Sequence, residues 1–322
     1  MKCNSHGDNT DRLRFVDISK GIGLFLVISS HVYGPLMSWS FPFYIPLFFI
    51  VSGYCTVRPI SLKNKFKKLI IPYFLFSAIL LSIYRSIHLS DLIGVLYSRW
   101  CLYPLGSEEN VFLLQSGNGP LWFLTSMFVS FILYWLLQKS NRVLLLLFLY
   151  FSITYCLAYL PLLLPWSLDT AFLMAIFIFV GTEFRKRNIL QYIDYKWALV
   201  LSILYFVFLH YSGFVNLSVR IYGRSLFILF PAALLGSVLI LKMSLLIEKG
   251  VVGKVLSSIG RHSLSIFCLH IPFISVWDAL IDYFHLTMPP YANGILCVVF
   301  IMTITYLLSL FLDKYVLQYI TK

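Results

Sequence analysis

Apolar residues in this chain come in long, nearly unbroken runs, and polar residues are confined to the short segments between them. A run of about 20 apolar residues is long enough to cross a bilayer as a helix. The runs fall at about 15–38, 41–57, 69–87, 120–138, 143–161, 168–184, 196–213, 221–241, 262–282 and 291–312. In lipid the backbone must satisfy its own hydrogen bonds, so such runs predict helices. The expected fold class is therefore all-α: a polytopic membrane bundle of about ten transmembrane helices. Residues 1–14 read as a polar tail. The longest connection, 88–119, carries Glu108 and Glu109, and Pro120 suits the first turn of the helix after it. No internal repeat or low-complexity linker divides the chain, so residues 1–322 read as one transmembrane domain with no added soluble domain.

Composition sharpens this. Hydrophobic residues make up 60% and charged residues 12%, with a mean hydropathy of +0.85. Soluble domains carry about 25% charge, so a solvated globular enzyme is excluded. The net charge of +12 would suggest nucleic acid until the cations are placed. Of 25 Lys and Arg, 21 fall in alternate segments, leaving Arg85, Arg99, Arg220 and Arg224 on the other side. That bias orients membrane proteins, and it predicts cytoplasmic N- and C-termini and a lipid bilayer as partner. The first run carries Asp17 and Lys20 and has no small-residue cleavage site after it, unlike a signal peptide. Six scattered cysteines, with no CxxC and no HExxH, imply no disulfide framework and no metal.

The first apolar run also carries ionisable groups. Lys20 and His31 are eleven residues apart, about three helical turns, which places them on one face about 16 Å apart. Asp17 falls near the same stripe. Ionisable side chains at membrane depth are costly and mark functional sites by default.

Six stretches then carry a family resemblance. They are FVDISKGIGLFLVISSH (15–31), IPLFFIVSGY (45–54), KFKKLIIPYF (65–74), GPLWFLTSMF (119–128), LDTAFLMAIFIFVGTEFRK (168–186) and SLSIFCLHIP (263–272). In this order the chain resembles the acyltransferase-3 family of integral membrane acyltransferases, most closely its fucose 4-O-acetylase-like sugar O-acetyltransferase branch. Lys20 and His31 match the family's Arg/Lys-x10-His signature. Lys65 and Lys68 stand where the family has an Arg-x-x-Arg pair, and a lysine is a point charge without the arginine fork.

The resemblance implies a bacterial inner-membrane enzyme that transfers acetyl from cytoplasmic acetyl-CoA to a hydroxyl of a surface or lipid-linked saccharide. Such chemistry needs a base, a phosphate clamp and oxyanion stabilisation. His31 is the expected base, with Asp17 beside Lys20 in the catalytic set; a covalent acetyl-histidine is the alternative. Arg14, Lys20, Lys65 and Lys68 are the expected donor contacts, among a basic cluster that also holds Lys63 and Lys67. Lys20 has a second reading, as the partner of Asp17. For the acceptor, Trp122 offers a stacking face or a membrane anchor. Asp169, with no basic neighbour in sequence, bonds a sugar hydroxyl or caps its helix, and position favours capping. Arg220 and Arg224, four apart on one expected helix face, suit a charged acceptor or lipid headgroups. His270 is a site residue or a packing residue. The competing class is a transporter or flippase of an amphipathic solute, which shares basic loops and midplane charges. A different acyl acceptor is a third reading.

Overall fold

A computed structural model describes residues 13–56, 58–84, 88–104, 111–113 and 119–317; the polar tail before Leu13, Arg85, Glu108 and Glu109 lie outside these. The helices are α1 (Arg14–Tyr33), α2 (Tyr44–Tyr54), α3 (Leu62–Tyr84), α4 (Leu89–Tyr97), α5 (Trp122–Lys139), α6 (Val143–Leu157), α7 (Leu168–Lys186), α8 (Ile189–Tyr192) and α9 (Tyr195–Ser212). A two-stranded antiparallel hairpin, β1 (Val215–Asn216) and β2 (Ile221–Tyr222), precedes α10 (Leu226–Leu246), α11 (Val251–Arg261), α12 (Ser263–Tyr283) and α13 (Pro290–Leu312). Among the described residues, nine helical stretches are long and apolar enough to span a membrane, and α6 is a shorter apolar helix. The architecture is an all-α polytopic bundle, as the apolar runs predict.

Contacts at the helix ends sort them into two levels. Phe15 packs edge-on against Tyr54 at 5.5 Å, and its N–H donates to Glu248 Oε1 at 3.1 Å. Arg185 donates to the Tyr54 carbonyl at 3.3 Å. The start of α1 and the ends of α2, α7 and α10 therefore share one face, the basic one. At the opposite face the Tyr33 hydroxyl, at the end of α1, donates to the Tyr291 carbonyl in the first turn of α13 at 3.2 Å.

Helix α1 is central: 78% of its apolar window is buried, against 11% for α9 at the periphery. Helices α2 and α7 approach until their backbones touch. A Cβ on Gly53 would lie 1.9 Å from the Ile178 carbonyl oxygen, and one on Gly181 would lie 1.9 Å from that of Ile50. Small residues permit this approach where helices associate in a bilayer.

Several boundaries depart from the sequence reading. The first helix ends at Tyr33, not 38, because Gly34 adopts φ 54° and starts a 3-10 segment, Gly34–Ser40, with Pro35 in its first turn. Helix α3 begins at Leu62, so the basic loop is already helical; charged residues do not break a helix. Helix α10 starts at Leu226, five residues later than expected. Gly223 at φ 70° turns the chain, and Ser225 caps the helix by accepting from the Phe227 N–H. Helices α4 and α11 arise inside connections that the sequence showed only as loops.

Candidate active site

The last turn of α1 presents His31. Its side chain is exposed at the surface of the bundle. This corrects the expectation of a fully buried imidazole deep in the helix. The ring lies 5.2 Å from that of His270, centroid to centroid, at 44°. His270 is fully buried on α12. Its Nδ1 is 2.7 Å from the Phe267 carbonyl oxygen, which can only accept, so Nδ1 carries the proton. In the neutral ring Nε2 then bears a lone pair, and this buried atom has no hydrogen-bond partner. Buried polar atoms are nearly always paired, which makes an orphan beside an accessible imidazole a chemical signal.

Aromatic rings wall the pair. Phe267 stands 5.7 Å from His270 and 4.7 Å from Phe123, and Phe48 meets both phenyl rings at 6.3 and 5.6 Å. Tyr44, at the start of α2, sets its hydroxyl against Ser30 one residue from His31. Two imidazoles at an apolar wall can take a proton from a hydroxyl and return it to a leaving group.

About three turns down α1, Lys20 pairs with Asp17 at 3.3 Å, both buried. Arg14 and Asp17 line a recess of about 380 Å³ together with Lys254, Ser257 and Arg261 of α11. The sequence reading missed these α11 residues. The available signal was their spacing, i, i+3 and i+7, which puts all three on one helical face.

Other expected site residues separate. Lys65 is buried with its ammonium 3.4 Å from the Phe131 ring centroid, a cation–π contact, whereas Lys68 is exposed. The two do not form a paired clamp. Trp122 is 6% exposed and edge-on to Phe123, so it is neither an interfacial anchor nor an open stacking platform.

The acceptor set is corrected most. Asp169 does have basic neighbours: Arg99 Nη2 donates to its Oδ1, and Arg220 Nη1 lies 3.3 Å from its Oδ2. All three side chains are fully buried. Asp169 also accepts from the backbone N–H of Leu164 at 3.1 Å and of Thr170 at 2.9 Å. The guanidiniums donate to the carbonyls of Leu164, Ser218, Leu162 and Leu160. Burial pushes the Arg99 guanidinium down from its ordinary value, and the Asp169 carboxylate works against that. This is a structural clamp that ties the α4 connection, the start of α7 and the hairpin together. Arg220 and Arg224 share no helix face. Arg220 sits between the hairpin strands in a left-handed conformation, and Arg224 is exposed.

No curated protein and no solved structure matches the chain. A family model described as an acyltransferase domain does match, over residues 13–313, a stretch that includes both imidazoles, the recess and the arginine clamp. By that match this multi-span protein is a member of the acyltransferase-3 family.

Proposed function

We propose that this membrane acyltransferase moves an acetyl group from acetyl-CoA, drawn from the cytoplasm, to a hydroxyl of a surface or lipid-linked saccharide. The fucose 4-O-acetylase-like branch and the inner membrane of a bacterium are part of this reading. The observation that carries it is the contact between His31 and His270, one imidazole exposed and the other with a lone pair on a buried, unpartnered nitrogen.

In the proposed reaction His31 accepts the proton of the sugar hydroxyl while the oxygen attacks the thioester carbonyl. A C–O bond forms, the C–S bond breaks, and the proton passes from the imidazole to the departing thiolate. The products are the acetyl ester and free coenzyme A. His270 is held in one tautomer by the Phe267 carbonyl, which leaves its Nε2 lone pair free, on a ring beside that of His31, to take a hydrogen bond as the proton moves.

The test adds acetyl-labelled acetyl-CoA to membranes holding wild type or His31→Ala and follows label into glycan. The reading expects transfer in wild type and its loss in the variant, with protein levels equal. Label entering glycan at equal rates in both would remove His31 from the mechanism. Solute movement without any transfer would favour a transporter.

A further inference from the structure

The recess at the basic end of α1 has no role in the proton chemistry, yet it is built with care. On α11 the polar face carries Lys254, Ser257 and Arg261, while Val251, Val252 and Val255 on the opposite side are 75%, 62% and 55% exposed. A helix so divided lies at a membrane interface with its valines toward lipid. Two glycine contacts then dock its polar face on α1. A Cβ on Gly260 would lie 1.8 Å from the Asp17 carbonyl oxygen, and one on Gly21 would lie 2.3 Å from that of Leu256. The docking brings three cations, Arg14, Lys254 and Arg261, around a space that holds one carboxylate, Asp17. Arg261 is steadied by donating to Ser258 Oγ at 3.2 Å. The volume of about 380 Å³ is in the range of small-molecule sites.

We propose that this recess binds the phosphate-bearing nucleotide end of the acyl donor, with Lys254 and Arg261 as its principal phosphate contacts. The proposal rests on the reading that the donor is a coenzyme A thioester. Guanidinium and ammonium groups are the usual partners of phosphate, and a hydroxyl such as Ser257 completes such sites. Distance agrees. Asp17 and His31 are fourteen residues apart, about 21 Å along the axis. The arm between the donor's diphosphate and its sulfur has about a dozen bonds, so it extends roughly 15–18 Å. The cationic side chains and the imidazole close the remainder. A donor held by its phosphates at the basic end therefore brings its thioester to the level of the imidazole pair.

Lipid headgroups offer the same phosphate chemistry, so the experiment separates the two sources. Wild type and the double variant Lys254→Gln/Arg261→Gln are placed in nanodiscs of zwitterionic lipid, and in a second set with anionic lipid added. Equilibrium binding of coenzyme A and of S-acetylpantetheine, which lacks the nucleotide, is measured for each. Both substituted residues are exposed, so the melting temperature stays at the wild-type value. The expected result is a Kd for coenzyme A weakened about tenfold or more in both lipids, with S-acetylpantetheine binding unchanged.

Equal binding of coenzyme A by wild type and variant overturns the proposal and leaves the donor reading intact. An equal loss for both probes overturns it too, because the variant then acts through the fold. A difference confined to anionic nanodiscs assigns the recess to lipid headgroups. Wild type that binds no coenzyme A overturns the donor reading and this proposal together.

Discussion

Asp169→Asn separates a structural carboxylate from a sugar ligand. The substitution keeps shape and removes one charge. In the native chain that charge faces two fully buried guanidiniums and two backbone N–H groups. The neutral amide accepts at one oxygen only, and its NH2 group points at another donor. Two buried cations are left without a counter-charge. Removing one partner from a buried ion pair costs about 3–5 kcal/mol, and here one carboxylate serves two arginines, so the upper half of that range applies. Against a typical folding stability of about 5–15 kcal/mol this is a large share. Replacing all three residues by apolar ones does not restore the loss. The carbonyls of Leu160, Leu162, Leu164 and Ser218 would lose their donors, and each unpaired buried group costs roughly 1–3 kcal/mol. The assay is denaturant unfolding of purified protein in one fixed detergent, with acyl transfer measured well below both transitions. The expected variant unfolds at clearly lower denaturant and, while folded, retains transfer with an unchanged KM for the acceptor. Wild-type unfolding combined with a raised acceptor KM would refute the structural reading and make Asp169 a substrate ligand.

Four further outcomes follow from the geometry. His31→Ala lowers kcat by about 10²–10⁴-fold at nearly unchanged melting, since a solvent-reachable side chain contributes little packing. His270→Ala lowers both kcat and melting, and rescue of melting without kcat by His270→Phe marks the Nε2 atom as functional; transfer at the wild-type rate in His270→Phe would show that atom idle. Gly181→Ala forces a methyl 1.9 Å from the Ile50 carbonyl, so it destabilises by roughly 1–3 kcal/mol or more, read as a lowered melting temperature; a wild-type melt would contradict the α2–α7 contact. Burial pushes the Cys101 thiol up to about 11, with Arg99 pulling the other way, so at pH 8 it stays protonated. Maleimide should label it only after unfolding, checked by mass spectrometry of the peptide.

How much of this was legible without coordinates follows from the range of the interactions. Unbroken apolar runs are a local property, so the spans and the all-α class could be read from the pattern of apolar positions. The Lys20-to-Asp17 pair was legible for the same reason: three residues on one helix meet by geometry. Helix ends were less so, because the stop after Tyr33 and the late start at Leu226 depend on single residues, Gly34 and Gly223, adopting positive φ. What lay beyond reach joins distant segments. Arg99 and Arg220 meet Asp169 across separations of 70 and 51 residues, so a carboxylate without local basic neighbours looked available for a sugar. His31 and His270 meet only because α12 folds back onto α1, and Lys254 and Arg261 face Arg14 only because Gly21 and Gly260 let two backbones touch. Periodicity along one helix says which residues share its face; which other face they meet is decided by packing, through the shape of contacts between segments far apart in the chain.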